Sequence, residues 1–255
     1  MSSIFLLYEG QALPIRYRPN ARARGLKLTC SLGGDLLLTA PPGTPQQALY
    51  RFLEVNRDRI GRQVMAARRR AEALPQPEED VFIWLGEPLP VARRAGSRSQ
   101  ARLKDGRVSL SLAPGDWPHE ALERLRQRLS APFLTQLALQ RAGELGLSPV
   151  TVAVRPMFSR YGSCQPSGRR LCLNSYLTRM PREVILAVID HELCHLSFPG
   201  HDQAFYGALY GLCPEYPRHH QRLKRELSPY LANIRLNRRA RRPHPALADF
   251  DGPIL

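Results

Sequence analysis

The chain has 255 residues, a formal net charge of +15 at pH 7 and 43% hydrophobic residues, which is enough for one large or two small domains with a true core. It contains no run of about 18 apolar residues, and its start has neither the basic leader nor the length of a signal peptide. We therefore expect a cytoplasmic protein without a membrane segment. The five cysteines include no CxxC pair, which favours reduced thiols over a disulfide framework.

The excess of arginine is spread over several stretches of the chain, at residues 16–24, 57–70, 93–107 and 235–242. Few aromatic residues that could stack on bases lie among them. We expect non-specific attraction to polyanions at low salt, and we consider a dedicated nucleic-acid site the less favoured interpretation.

The first elements along the chain are strands and one helix. Residues 13–40 alternate between apolar and polar side chains and turn at Gly33-Gly34-Asp35, which predicts a small antiparallel sheet. Thr44 as a cap, with Pro45 in the first turn, predicts a helix that continues to about Ala73. Together these elements form a predicted N-terminal domain, residues 1–75.

The next segment, residues 76–115, is predicted to be a small β-hairpin segment. A strand from Val81 to Leu85 precedes a hairpin over residues 101–110 that turns at Asp105-Gly106. No set of side chains before residue 115 suggests catalysis.

A predicted catalytic domain, residues 116–232, begins with a long amphipathic helix from Pro118 to Leu145 that contains Pro132. A strand at residues 150–154 and a hairpin over residues 157–174 follow. In zinc peptidases an exposed strand near the metal can pair with an extended substrate, and this hairpin is the candidate. The segment from residue 233 to residue 255 is rich in arginine and proline, which predicts a basic, flexible tail.

The sequence His191-Glu192-Leu193-Cys194-His195 is an HExxH motif. An apolar segment that starts at Pro181 leads into it, which indicates a buried helix. Two histidines four positions apart lie on nearly the same helix face and can bind one metal ion, while Glu192 can act as the general base toward a zinc-activated water. Cys194, one position before His195, points about 100° away from it around the helix and is interpreted as a packing residue.

A third ligand is needed for a catalytic zinc site, which has three protein ligands and one open position. Pro199-Gly200 should break the helix and return His201 to the site. Asp202 is then predicted to cap the next helix, which contains Phe205 and is expected to pack over the site. We favour His201 over Glu215, which is the alternative. The interval from His195 to His201 equals that of metzincins. However, Phe198 replaces their glycine and no methionine follows the motif, so the sequence does not fit the metzincin subgroup.

Three further residues are candidates for contacts to the substrate or the transition state. Arg160 could clamp an anionic group, and Tyr216, with His219 and His220 nearby in sequence as alternatives, could donate a hydrogen bond to a developing oxyanion. Tyr161 follows Arg160 in the predicted hairpin. For each of them, a purely structural role is the alternative.

The order of residues from about 150 to 227 closely resembles the YgjP-like metallopeptidase family, which is related to the SprT-like zinc proteases. A weaker resemblance extends to residues 18–41, which are similar to an arginine-rich strand pair of that family. The resemblance rests on the segments Met157-Phe158-Ser159-Arg160-Tyr161-Gly162-Ser163-Cys164, Leu173-Asn174, His191 to Leu196, His201, Phe205-Tyr206 and Pro214-Glu215-Tyr216. It implies His191, His195 and His201 as metal ligands and Glu192 as the catalytic acid and base. The family usually has tryptophan at the positions of Tyr161 and Tyr206.

The sequence thus predicts an α+β protein in which a small β-rich N-terminal module precedes a zincin-like metallopeptidase domain. It would bind one Zn²⁺ per chain and hydrolyse peptide bonds in a peptide or protein substrate. One alternative keeps the metal and changes the substrate to a nucleotide, whose phosphoanhydride would be hydrolysed. The other alternative is a nucleic-acid-associated protein with a structural metal site.

Overall fold

The fold is mixed α and β, with several small sheets. The computed structural model describes residues 3–75, 80–147 and 149–240. These residues divide into two compact units, one with the described residues up to Leu74 and from Arg235 on, the other running from Pro75 to Ile234. None of the described helices combines the length and the apolar composition that crossing a membrane requires.

The first unit contains a four-stranded sheet in the order β1-β2-β4-β3. Its strands are β1 (Ser3–Tyr8), β2 (Gln11–Pro19), β3 (Lys27–Cys30) and β4 (Leu36–Ala40). Strands β2 and β4 run parallel, with Ile15 opposite Leu36. The predicted antiparallel pairing is confirmed for β3 with β4 and wrong for β2 with β4, because alternating apolar residues reveal a strand and its buried face but not its direction.

Two helices follow where the sequence predicted one, namely α1 (Gln46–Val55) and α2 (Arg57–Glu72). They are separated at Asn56, whose side-chain amide donates to the Phe52 carbonyl oxygen at 2.7 Å. Such a side-chain bond competes with the helical hydrogen bonds of the backbone. The predicted cap was also wrong, since the Thr44 hydroxyl donates to the Pro41 carbonyl oxygen at 2.7 Å.

A second four-stranded sheet has the same topology as the first, in the order β5-β6-β8-β7. Its strands are β5 (Val81–Trp84), β6 (Glu87–Ala95), β7 (Gln100–Lys104) and β8 (Arg107–Leu112). The predicted turn at Asp105-Gly106 is confirmed, with both residues at positive φ. Strand β6 was missed by the sequence analysis, and it pairs in parallel with β8.

The topological match extends to residue positions. Val91 faces Val108 in the second sheet as Ile15 faces Leu36 in the first, and Leu89-Pro90-Val91 repeats Leu13-Pro14-Ile15. We call residues 3–72 the first sheet module and residues 81–144 the second sheet module. Each consists of four strands followed by helix.

The helix of the second sheet module is α3 (Pro118–Glu144), which confirms the predicted long helix with Pro132 inside it. Its first half packs on the second sheet, where Leu122 and Leu125 join Leu110 in one cluster. Its second half enters a different cluster that includes the HExxH helix. This continuity places residues 76–115 and 116–232, which the sequence analysis separated, in one compact unit.

The remaining elements surround the HExxH motif. A three-stranded sheet, ordered β10-β11-β9, consists of β9 (Thr151–Arg155), β10 (Gly162–Gln165) and β11 (Arg170–Asn174). The helices are α4 (Arg182–Cys194), α5 (Gln203–Leu212), α6 (Tyr216–Arg222) and, after a π-helical turn over Leu223–Leu227, α7 (Ser228–Ala240).

The segment predicted to be a flexible tail from residue 233 starts inside α7. Asn233 and Ile234 are buried there, and the helix continues to Ala240. Residues 241–255 of that prediction lie outside the described residues.

Candidate active site

Helix α4 presents the HExxH motif at its C-terminal end, in accordance with the predicted buried helix. Pro181 precedes it and Glu183 lies in its first turn, where the N-terminal end of the helix dipole favours a carboxylate. The helix ends at Cys194, earlier than the break expected at Pro199-Gly200. His195 keeps helical backbone angles, φ −64° and ψ −14°, so its ring still lies 4.9 Å from that of His191.

Three imidazoles converge at this point. His191, His195 and His201 each offer a ring nitrogen, and these atoms lie within 4.8 Å of one another. Burial, with smaller contributions from the other two histidines, lowers the pKa of His191 to about 4, so this ring is neutral at pH 7 and can donate a lone pair to a cation. Glu215 lies outside the group, and its carboxylate pairs with Arg218 at 3.3 Å.

The outer nitrogens of two of these rings are held by hydrogen bonds. Nδ1 of His195 lies 3.0 Å from the Phe198 carbonyl oxygen, which can only accept. Nδ1 of His191 lies 2.9 Å from the Tyr216 hydroxyl. This leaves both Nε2 atoms for the centre of the group, and ligating histidines are commonly oriented in this way. The donor set fits a first-row divalent metal such as zinc.

Phe205 supports all three rings. Its side chain is fully buried, and its centroid lies 5.0 Å from that of His191, 4.7 Å from His195 and 4.8 Å from His201. Asp202 fixes the start of α5 by accepting from the Phe205 N–H at 2.9 Å, which confirms the predicted cap. The sequence predicted that the helix containing Phe205 packs over the site, but it did not predict the contact of this ring with all three imidazoles.

Glu192 lies beside the triad and is only 6% exposed. Burial raises the pKa of its carboxyl to about 8, and the positive charge of Arg160 opposes this shift. No hydrogen bond to this carboxylate occurs within the described part of the chain. Because burial disfavours the charged form of a carboxyl group, the position of Glu192 beside the triad points to a reaction or a ligand.

Gly162 provides the space for this carboxylate. A Cβ added at Gly162 would lie 2.6 Å from Oε1 and 2.8 Å from Cγ of Glu192, closer than van der Waals contact allows. The sequence analysis did not single out this residue. Its signal was a glycine at the start of a strand, which often marks a close approach of another group.

The three predicted contact residues have different surroundings. Arg160 is exposed and acts electrostatically on Glu192, and its carbonyl oxygen accepts from the Asn174 side chain at 2.8 Å. Tyr161 forms a hydrogen bond with Ser228 and packs against the large core. Tyr216 contacts His191 as described. Their roles toward a substrate stay predictions.

A partly buried ion pair fixes the HExxH helix to α3. Nε and Nη2 of Arg141 donate to the two carboxylate oxygens of Asp190 at 2.7 and 3.2 Å, and Asp190 is 3% exposed. Because Asp190 directly precedes His191, this bidentate contact holds the helix at its first metal-ligand candidate. Sequence spacing could not reveal it, since the two residues are distant in the chain.

The comparisons with known proteins agree with this site. The family described as YgjP-like, metallopeptidase domain, matches residues 24–226. The chain belongs to the YgjP-like family. Membership confirms the resemblance seen in the sequence and makes this a metallopeptidase-type domain, which implies a metal and a peptide or protein substrate at the level of the family.

Solved structures similar to this YgjP-like chain include two metallopeptidase zymogens. Pyrococcus abyssi abylysin is 21% identical, with 37% of this chain and 94% of abylysin covered and a TM-score of 0.34. Methanocaldococcus jannaschii jannalysin is 19% identical, with 37% and 96% covered and a TM-score of 0.34. At these scores neither supports an argument about this chain. No curated protein matches its sequence.

Proposed function

We propose that this YgjP-like protein is a zinc-dependent metallopeptidase of the HExxH type that holds one zinc ion per chain. The convergence of His191, His195 and His201 beside the buried Glu192 is the observation on which the proposal rests. Zinc bound there would acidify water and polarise the carbonyl group of the substrate.

The residues of the chain have distinct parts in this reaction. Glu192 takes a proton from the attacking water and returns it to the leaving amine, which is the role of a general base followed by a general acid. Gly162, which has no side chain, leaves the space that this carboxylate occupies. Phe205, Phe198 and Tyr216 orient the imidazoles, so that little reorganisation is needed during turnover.

A peptide substrate is favoured by strand β10. Gly162, at its start, contacts Glu192, and β10 is an edge strand of its sheet, paired with β11 on one side. An edge strand offers N–H and C=O groups to an extended peptide. A nucleotide phosphoanhydride is the second candidate, supported by the positive charge of Arg160 near Glu192.

Metal content and activity of matched variants test the proposal. The wild type and Glu192→Gln should each hold about one zinc by mass spectrometry, whereas His201→Ala should lose it. Casein or peptide cleavage should fall by at least a hundredfold in Glu192→Gln, since general acid–base catalysis contributes about 10²–10⁴-fold.

Each contrary result favours a different alternative. Zinc retained in His201→Ala would require another third ligand, with Glu215 the next to test. Cleavage of a nucleotide panel but not of peptides would establish the second candidate function. Full zinc occupancy with no hydrolysis, and with steeply salt-dependent binding to nucleic acid, would favour a structural metal site.

A further inference from the structure

Two exposed tyrosines form an aromatic surface on α5. Tyr206 and Tyr210 are 36% and 43% exposed, lie one helical turn apart and have ring centroids separated by 5.7 Å. We call them the tyrosine pair. Phe205 and Leu209, each one position earlier and so about 100° around the same helix, are fully buried, so α5 is already anchored without the tyrosine pair.

The tyrosine pair is continuous with the histidine triad. Tyr206 lies 6.3 Å from His201 between ring centroids, and Tyr210 lies 6.5 Å from Tyr216. Tyr216 in turn stacks on His191 at 5.6 Å. The path of rings therefore starts and ends on proposed metal ligands, and its exposed part is the tyrosine pair.

The positive charge of Arg160 acts on Glu192, beside the triad, but no cation is among the groups that act on Tyr216, the ring next to the tyrosine pair. Besides burial, these groups are Tyr206, Glu192, Tyr210 and Cys213. Proteins that stack nucleotide bases on aromatic rings place positive charge beside those rings for the backbone. An uncharged, apolar group matches the tyrosine pair better.

The distance also suits a peptide. The Tyr206 ring lies 6.3 Å from the His201 ring between centroids, a separation that a single large side chain can span from the carbonyl group of its own residue. A residue next to the scissile bond can therefore place its side chain on these rings while its carbonyl group lies at the triad.

We propose that the tyrosine pair is a specificity subsite that receives a large apolar side chain, aromatic or aliphatic, from the residue next to the scissile bond. This inference rests on the proposed peptidase function and extends it to a class of substrate. Burial of one such side chain contributes a discrimination of about 10–200-fold in enzymes.

Matched peptides and variants test this subsite. Peptides that differ only in leucine, phenylalanine or serine beside one scissile bond are compared by kcat/KM in the zinc-loaded full chain. We expect at least a tenfold preference for leucine or phenylalanine, and a loss of most of it in Tyr206→Ser/Tyr210→Ser. Tyr210→Ser alone, which leaves the ring beside His201 intact, should reduce it partially.

Leu139→Ser is the control, because Leu139 is 43% exposed and lies on α3, apart from the triad. It should keep the preference of the wild type. Binding of the same peptides to Glu192→Gln, measured by fluorescence anisotropy, gives a readout without turnover. Zinc content must be equal in all variants, so that a change in preference is not a change in metal.

Several outcomes would overturn the subsite. Equal binding and cleavage of the leucine and serine peptides would do so while leaving the peptidase function intact. If no peptide is cleaved, the peptidase function fails, and the anisotropy measurement still decides whether the tyrosine pair selects apolar side chains. Weakened binding of a single-stranded oligonucleotide, or loss of self-association, in the tyrosine variants would assign the surface to those partners instead.

Discussion

The two sheet modules share one topology but place their helices differently. In the first sheet module, α1 and α2 pack on their own sheet, where Leu49, Leu53, Ile60 and Val64 join the strand residues in one core. In the second sheet module, α3 covers its sheet with its first half only. Its second half, including Leu134 and Leu137, belongs to the core of the HExxH helix.

The second sheet module is attached to the candidate active site at two further points. The Leu85 N–H, in its first turn, donates to the Thr178 carbonyl oxygen at 2.7 Å, and Arg141 pairs with Asp190. The same arrangement of strands can therefore close a core of its own or support a second core, depending on the length and continuity of the helix that follows.

The largest expected effect comes from equivalent leucines in the two modules. Leu38 of β4 and Leu110 of β8 are both fully buried. They occupy equivalent positions, because Leu38 lies two positions after Leu36, which faces Ile15, and Leu110 lies two positions after Val108, which faces Val91. Each change to alanine should lower the free energy of unfolding of its own module by about 2–5 kcal/mol. The expected difference lies in which unit is destabilised.

Tryptophan fluorescence separates the two cases, because the two tryptophans of the chain, Trp84 and Trp117, both lie in the second unit. During urea unfolding, Leu110→Ala should lower the midpoint seen by fluorescence, and Leu38→Ala should lower only a transition seen by circular dichroism. Excess zinc should raise the fluorescence midpoint alone, since a ligand stabilises the unit that binds it. If Leu38→Ala shifted the fluorescence and circular dichroism midpoints equally, the two units would unfold as one cooperative unit and the predicted separation would be wrong.

A smaller effect is expected at the ion pair between α3 and α4. Arg141 contacts two carboxylates, the buried Asp190 and the exposed Glu144 at 3.2 Å. Asp190→Asn should lower the free energy of unfolding by about 1–3 kcal/mol, because it removes the charge from a partly buried, hydrogen-bonded pair. Glu144→Gln changes the same guanidinium on its solvent side and should have little effect.

The measurement is the fluorescence midpoint in urea together with zinc content. Asp190→Asn should also reduce zinc retention during dialysis against a chelator, since the helix that carries His191 loses its contact with α3. Identical behaviour of the two variants would mean that the contact does not stabilise the candidate site.

Local patterns predicted the parts of the site that are close in sequence. The spacing of His191 and His195 on one helix, the Asp202 cap and the Asp105-Gly106 turn all depend on a few consecutive residues, and the structure agrees with each. The same applies to the helix from Pro118 to Glu144, whose period is visible without knowledge of its neighbours.

Features that depend on distant residues were not predictable. The parallel pairing of β2 with β4 and of β6 with β8 requires knowledge of which strands meet. Contacts of Gly162 with Glu192 and of Arg141 with Asp190 join residues from separate elements. The helix end at Cys194 was misplaced because Pro199 marks where a helix must stop, and a helix can end before that point.

The smallest effect is expected at the turn between the first two strands of each sheet module. Gly10 and Gly86 occupy the same position in the first hairpin of each module, at φ +76° and φ +88°. A side chain is strained at such angles by about 1 kcal/mol. A Cβ at Gly10 would meet no atom within 4 Å, whereas a Cβ at Gly86 would lie 2.8 Å from Cγ of Pro181, at the start of the HExxH helix.

Gly10→Ala should therefore lower the free energy of unfolding by the backbone strain alone, and Gly86→Ala should lower it by that strain and also displace Pro181. We expect Gly86→Ala to lower the fluorescence midpoint in urea and Gly10→Ala to leave it unchanged while shifting the circular dichroism transition slightly. If Gly86→Ala left the fluorescence midpoint at its wild-type value, the hairpin of the second sheet module would not support the HExxH helix, and the distinction between the two modules would rest on α3 alone.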